Sequence, residues 1–336
     1  MGAKVTMRDV AREAGVSPMT VSRAFKQDTS VNAETRVAVQ KAAAKLGYLY
    51  DSTAQAFRSQ RSGFLAVTLP SINNANFAST HRALTRALEG TELQLLLGIT
   101  NYRVEEEERL VRQLLARRPE ALVLTGGHHS DDARRILEQV NIPIIEMWDL
   151  PKDPIGHVVG FSNAKAMELV VAHLVQSGRR RLGFVGASVD SDRRGAERRR
   201  GAIEAAQKLG LPDIVSIEAG AAPVAMTAGA NAVESAADTL GDLDALVCVS
   251  DPVAFGVMMA LQRRGLRVPE DVAVTGFGAF EIANMSNPTI TTVNVHADRI
   301  GEITGALIAE ILGRAGKDLE PLLKRLTPEL QIGESG

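Results

Sequence analysis

One cysteine, one tryptophan and three tyrosines in 336 residues leave little material for several kinds of chemistry. A lone thiol cannot close an internal disulfide, so nothing here asks for an oxidising compartment. That thiol, Cys248, lies in the apolar run ALVCVS, where a cysteine behaves as a small core hydrophobe. No stretch approaches the roughly 18 apolar residues of a membrane span, and the opening MGAKVTMRDV has no apolar signal core. Gly2 does not by itself make a lipidation signal. The expectation is a cytoplasmic protein that does not engage a membrane. Catalytic patterns are missing too. No serine elbow, no nucleophile–base arrangement and no paired acids stand out, which argues against an enzyme. GFG near position 276 opens no dinucleotide-type helix, so no cofactor is expected. His128-His129 lacks a Cys or third His at ligand spacing, so no metal is expected either.

What is present is ordinary in bulk and uneven in detail. Hydrophobic residues make up 45% and charged residues 23%, the balance of a soluble globular chain, and the length suggests two or three domains. The net charge of −2 is an average over two unlike parts. Residues 1–61 carry ten Lys/Arg against five acids, a net of +5, which leaves −7 for the rest. A basic head on an acidic body suggests a head that meets a polyanion.

That head reads as three short helices. Thr6 with Asp9 resembles a capping box opening MRDVAREA, and Gly15 ends it. Ser17 caps a second helix, and Pro18 takes its first position, where a missing N–H is harmless. Within SPMTVSRAF, Val21 and Phe25 point inward at i, i+4, leaving Met19, Thr20, Ser22 and Arg23 exposed. Asn32 caps a third helix, AETRVAVQKAAAKL, stopped by Gly47, with Val37, Ala38, Leu46 and their neighbours as its inward set. Helix, tight turn with Gly, helix is the helix-turn-helix pattern. Residues 48–63 read as a linker too short to be a stable helix alone.

From Phe64 on the pattern changes. Short apolar runs (FLAVTL, LQLLLGI, ALVLTG, IPIIEM, then RRLGFVGA, IVSIEA, ALVCVS, DVAVTGF) alternate with helical stretches such as Glu105–Arg117, Ala164–Gln176, Arg198–Leu209 and Val253–Arg264. Apolar strands separated by helices mean doubly wound parallel sheets. A split near Val159–Asn163 gives two similar α/β halves with a cleft between them, and ligands in such sheets bind at the carboxyl ends of strands.

VTMRDVAREAGVSPMTVSRAF, VNAETRVAVQKAAAKLGY, STAQAFRSQRSG and VPEDVAVTGF resemble the LacI (lactose/galactose repressor) family of bacterial transcription regulators, from Val5 to about Gly333. Within it, LPSINNANFA, EEERL, LTGGHHS, IPIIEMWDLP and VGFSNAKAM look most like the gluconate-utilisation repressors. The resemblance implies a helix-turn-helix domain (1–50), a hinge (51–63) and a two-lobed body like a periplasmic binding protein (64–336). Lobe 1 would span about 64–161 and 294–322, and lobe 2 about 162–293 and 323–333. It further implies a homodimer on a pseudo-palindromic double-stranded operator, released or retained according to a small effector. The tail QIGESG carries no heptads, so no tetramerisation helix is expected.

The implied DNA-facing set is Thr6, Ser17, Pro18, Met19, Thr20, Ser22, Arg23, Asn32, Tyr48, Ala54 and Phe57. Arg23 suits a bidentate contact to guanine, Met19 a thymine methyl, and Ser17, Thr20 and Ser22 phosphate oxygens. In the hinge, the family inserts an apolar wedge, usually leucine, into the minor groove; here the residue is Phe57.

The implied effector set is Ser71, Asn74, Phe77, His128, Asp149, Phe161, Arg198, Ser250, Asp251 and Phe277. Arg198, three before Gly201, falls at the family's effector-contacting arginine and suits a carboxylate. The neighbouring arginines read as a solvated helix face. Many sugar-binding members carry acids after the VTGF strand end, where this chain has Gly278 and Ala279. A site that keeps its Arg and loses an Asp is more cationic, which favours a sugar acid such as gluconate, acting as inducer. Within the family, a neutral sugar, a nucleobase or a phosphoprotein co-effector are the alternatives. A sugar-binding transport protein would share the body but predicts an export signal and no basic head.

Overall fold

The computed structural model describes residues 5–25, 30–49, 62–313 and 320–336. The chain divides into two compact units, Met1–Ser62 and Gly63–Gly336.

The first unit holds α1 (Met7–Ala14), α2 (Pro18–Phe25) and α3 (Ala33–Leu46). Their ends are fixed by the residues that mark them in the sequence. The Asp9 carboxylate accepts from both the Thr6 N–H (3.0 Å) and the Thr6 hydroxyl (2.7 Å). Gly15 turns α1 off at φ 67°. Ser17 Oγ accepts the Thr20 N–H, and Asn32 Oδ1 accepts the Thr35 N–H at 2.8 Å. Caps of this kind contribute about 1 kcal/mol each, which matters in a unit whose buried core is only Val10, Ala11, Val21, Ala24, Val31, Val39, Ala42 and Ala43. Two expectations change here. Val37 and Ala38 are exposed, and the third helix turns Val39, Ala42 and Ala43 inward instead. Ser22 is buried with Val21 and Ala24, so it does not stand on the exposed face of α2.

The second unit contains two parallel sheets. The first comprises β1 (Phe64–Leu69), β2 (Gln94–Ile99), β3 (Ala121–Thr125), β4 (Ile144–Trp148) and β5 (His157–Gly160). Between them run α4 (Ala75–Ala87), α5 (Val104–Leu115) and α6 (Asp131–Gln139). Alternation along the strands assigns the faces. Leu65, Val67 and Val123 look toward α4, while Ala66, Leu122 and Leu124 pack with Val111 of α5 and Leu137 of α6.

The chain then crosses over to α7 (Asn163–Gln176), β6 (Leu182–Gly186), α8 (Arg193–Lys208) and β7 (Val215–Glu218). It continues through α9 (Met226–Ser235), α10 (Ala237–Leu240), β8 (Ala245–Cys248), α11 (Asp251–Arg263) and β9 (Ala273–Thr275). Last come α12 (Glu281–Met285), β10 (Thr292–Asn294), α13 (Ala297–Gly313), β11 (Leu323–Arg325) and β12 (Glu329–Gln331). The sheets run β11-β5-β4-β3-β1-β2 and β7-β6-β8-β9, with β10 and β12 as a separate antiparallel pair. Both sheets reverse their order beside the first strand, between β1 and β3 and between β6 and β8, the switch points where α/β sheets take ligands.

The lobe boundary moves in one place. β11, expected in lobe 2, pairs in register with β5 of the first sheet. The return to the second lobe comes only after it, where Ser335 hydrogen-bonds Val274 of β9. The strand LKR is short, polar and exposed, so hydropathy could not mark it. Among the described residues no helix is long and apolar enough to cross a membrane.

One polar cluster lies inside the first lobe. His129 stands between Glu107 of α5 (Nδ1 to Oε1, 2.6 Å) and Glu146 of β4 (Nε2 to Oε1, 3.4 Å), all three side chains almost fully buried. Glu146 also accepts the Ile155 N–H at 2.7 Å. Burial works against a charged ring, but the hydrogen bonds and charges of the two glutamates outweigh it and hold the His129 pKa up at about 9. Because this lies above the unfolded value of about 6.5, the ring's contribution is complete below pH 6.5 and is lost as pH rises through 9. It amounts to about 3 kcal/mol. Melting curves of wild type and His129→Gln between pH 6 and 10 check this. The wild-type Tm falls more steeply with pH than the variant's, and parallel curves would refute the charged pairing.

Candidate functional site

The exposed face of α2 is the first candidate surface. Met19 and Arg23, at i and i+4, stand outward one turn apart, with Pro18 exposed at the helix start. Ser17 Oγ shares a hydrogen bond of 2.9 Å with Thr20 Oγ1, so these two hydroxyls form a linked pair at the N-terminus. Thr6 and Asn32 are occupied as caps, and Tyr48 is half-buried with its ring 6.2 Å from that of Phe25. The hinge residues Ala54 and Phe57 lie outside the described residues.

The second site is a cleft of about 590 Å³, partly open to solvent, between the two sheets of the second unit. Residues beyond β1 and β2 and at the end of β4 face residues beyond β6, β7, β8 and β9 across it. Of the expected residues, Asn74, Phe77, Arg198, Ser250 and Phe277 line it. Phe161 is buried beneath, its ring 6.0 Å from Trp148 and 6.2 Å from Phe277. His128 and Asp149 line an adjoining chamber of about 480 Å³ that shares Tyr102, Asp192 and Arg194 with the main cleft.

Two expected residues stand elsewhere. Ser71 lines neither chamber; its Oγ accepts the Asn73 N–H. Asp251 is fully buried and spends its carboxylate on the Thr292 hydroxyl (2.6 Å) and the Phe280 N–H (2.7 Å). Burial pushes its pKa up to about 6 despite those bonds. Asp251 therefore ties α11 to the end of β9, and Ser250 alone of that pair reaches the cleft.

The central charges sit on α8. The helix starts at Arg193, five residues before the expected start, so Arg194 and Arg198 fall at i and i+4 on one face. Both side chains are 12% exposed. Arg198 donates to Asn163 Oδ1 (2.9 Å), lies 3.8 Å from Asp192 and covers the Phe277 ring at 4.5 Å. Arg194 reaches the other lobe: it lies 3.8 Å from Asp149, 3.4 Å from the Thr125 carbonyl and 5.3 Å from the Phe77 ring centre. Asn163 completes a chain by donating to Asp149 at 3.0 Å. Burial raises the Asp149 pKa against the pull of Arg194, and burial lowers that of Arg198 against the support of Asp192. Gly201 makes this placement possible. A Cβ there would lie 2.2 Å from the Ala164 carbonyl oxygen, so only glycine lets α8 press against the start of α7 and bring Arg198 to Asn163.

Sequence reasoning set Arg194 aside and missed Tyr102, Asp192, Asn163 and Phe280. The signal for Arg194 was Asp192, an N-cap residue type that moves the helix start upstream and puts Arg194 in phase with Arg198. The charge expectation also changes. Gly278 and Ala279 follow β9 in place of an acid, but Asp192 and Asp149 enter from other strand ends, so two arginines face two aspartates. At Gly278 it is the main chain that acts, its carbonyl accepting from Asn76 of the opposite lobe at 2.8 Å.

Comparisons with known proteins cover both units of the chain. Residues 6–51 match the description "Bacterial regulatory proteins, lacI family", and residues 171–335 match "Periplasmic binding protein-like domain". The chain is 34% identical to the HTH-type transcriptional regulator GntR of Pseudomonas aeruginosa, over 98% of this chain and 95% of that one. A solved transcriptional regulator of the LacI family from Silicibacter pomeroyi superposes with a TM-score of 0.90 at 30% identity, covering 98% and 99% of the two chains. The lac repressor dimer bound to operator and an anti-inducer shares the fold, with a TM-score of 0.83 at 23% identity over 99% of each chain. A capped helix-turn-helix unit, a two-sheet body with a polar cleft and full-length similarity to such regulators lead to one assignment: the chain belongs to the LacI family of bacterial regulatory proteins and is a DNA-binding transcriptional regulator, not an enzyme.

Proposed function

We propose that this regulator is a cytoplasmic homodimeric repressor that binds a pseudo-palindromic operator and is released by a sugar acid, gluconate or a close relative, bound in the cleft. The observation that carries the ligand reading is the pair Arg194 and Arg198, side by side on α8 and almost buried in the cleft. Guanidinium groups match carboxylates through paired N–H bonds, and burial strengthens the match. Asn74, Tyr102 and Ser250 offer polar groups for hydroxyls, and Phe77 and Phe277 offer flat apolar faces. The name of the Pseudomonas relative, GntR, points the same way.

The mechanism rests on two lobes that touch through few polar contacts. Asn76 to Gly278 and Arg194 to Asp149 join them. A sugar acid would compete with Asp149 and Asp192 for the arginines while bonding to both lobes, so its binding energy differs between lobe arrangements. A ligand shifts an equilibrium only by such a difference. In a dimer this would alter the spacing of the two DNA-reading heads, and by linkage operator binding must weaken effector binding by the same factor. On the DNA side, Arg23 reads a guanine and Met19 a thymine methyl, with Ser17 and Thr20 at phosphates.

Three measurements test this reading. Thermal melts of the full chain with gluconate, galactose or hypoxanthine should show stabilisation by gluconate, about 2.7 kcal/mol at a hundredfold excess over Kd; stabilisation by galactose alone would end the sugar-acid proposal. Arg198→Ala should weaken gluconate binding by about a hundredfold, the loss of a charged, buried donor, while ligand-free operator binding stays intact. Arg23→Ala should cost about 1–3 kcal/mol on the operator and much less on random DNA; equal losses on both would remove its base-reading role.

A further inference from the structure

Trp148 ends β4 in an unusual conformation. Its φ is 79°, a left-handed value that a bulky residue rarely adopts and that folds retain mainly at functional positions. The strain is held in place from behind. Trp148 pairs in register with Gly160 of β5, and a Cβ on Gly160 would lie 2.2 Å from the Asp149 carbonyl oxygen. The indole is clamped in front by Phe77, edge-on with ring centres 4.9 Å apart, and by Phe161 at 6.0 Å.

So fixed, the ring lines the cleft, only 4% of the residue is exposed, and its Nε1–H is buried with no acceptor among the described residues. Buried indole N–H groups normally find a partner, and one left without needs an explanation. Arg198 Nε, in the same cleft, is a second buried donor without a partner among the described residues. The nearby aspartates do not serve either atom.

We propose that Trp148 is an effector-binding residue, its indole N–H donating to an oxygen of the bound sugar acid. This rests on the sugar-acid reading above and adds a positional demand. The ligand must carry an acceptor oxygen where the indole points, so an analogue lacking that oxygen loses affinity even when its carboxylate is intact. A phenyl ring would keep an aromatic face there, with less volume and without the bond.

Because Trp148 is the chain's only tryptophan, the full-length ¹⁵N-labelled protein gives a single indole ¹⁵N–¹H signal. Gluconate at saturation, with binding followed by calorimetry, should move that signal downfield and slow its exchange with water. W148F should stay folded, melting below wild type because the smaller ring packs less well, and bind gluconate about tenfold more weakly. An indole signal that stays in place while calorimetry records binding overturns this inference and leaves the sugar-acid reading standing. W148F binding within about twofold of wild type overturns it as well. Absence of any gluconate binding overturns both. Should W148F fail to fold, the wild-type indole signal decides alone.

Discussion

Arg194 crosses from one lobe to the other, and much of the cleft is arranged around that crossing. A guanidinium that is almost buried must be given acceptors and flat surfaces or it stays in water. Asp149 and the Thr125 carbonyl supply the acceptors and Phe77 the surface. Asp149 in turn is held by Asn163, which holds Arg198, which covers Phe277. One continuous network thus links the ends of β3 and β4 to α8 and the end of β9. A ligand entering the cleft cannot bond to one member without disturbing the others.

The network exists because both sheets are parallel. Parallel strands end on one side of each sheet, so two such sheets facing each other bring their carboxyl-end loops together. The helices then set the fine positions. Gly201 lets α8 approach α7 closely enough for Arg198 to find Asn163, a packing decision that reappears as the position of a charge. The head works on a smaller scale, with side-chain caps and a core of valines and alanines in place of long apolar faces.

Much of this was legible in the sequence, for identifiable reasons. The caps at Thr6, Ser17 and Asn32, the glycine stops and the apolar strand runs obey local rules, and local rules survive folding. Arg198, Asn74, Phe77, Ser250 and Phe277 followed from strand ends and the family resemblance. What escaped depended on tertiary geometry. Arg194 needed the true start of α8, because phase decides which arginines share a face. Val39 took the place expected of Val37, since a helix rich in alanine carries too weak an apolar stripe to show its phase. Ser22 turned inward because a serine fits a small core as readily as it fits a phosphate. Asp251 reads as a ligand residue beside a strand end, yet its two oxygens were already claimed by Thr292 and the Phe280 N–H. β11 has no apolar signature at all.

The contact between Asn76 and Gly278 is asymmetric in what it offers to evolution or to an engineer. On one side the partner is a side chain, which can be shortened, lengthened or made charged in small steps. On the other it is a carbonyl of the main chain, which every residue possesses, at a position where φ is 118° and a Cβ would lie 2.7 Å from the Asn76 amide nitrogen. Position 76 is therefore a dial for how firmly the lobes hold together, whereas position 278 is a switch with two settings. The contact itself can be adjusted gradually from the first lobe, and from the second lobe only in a single jump.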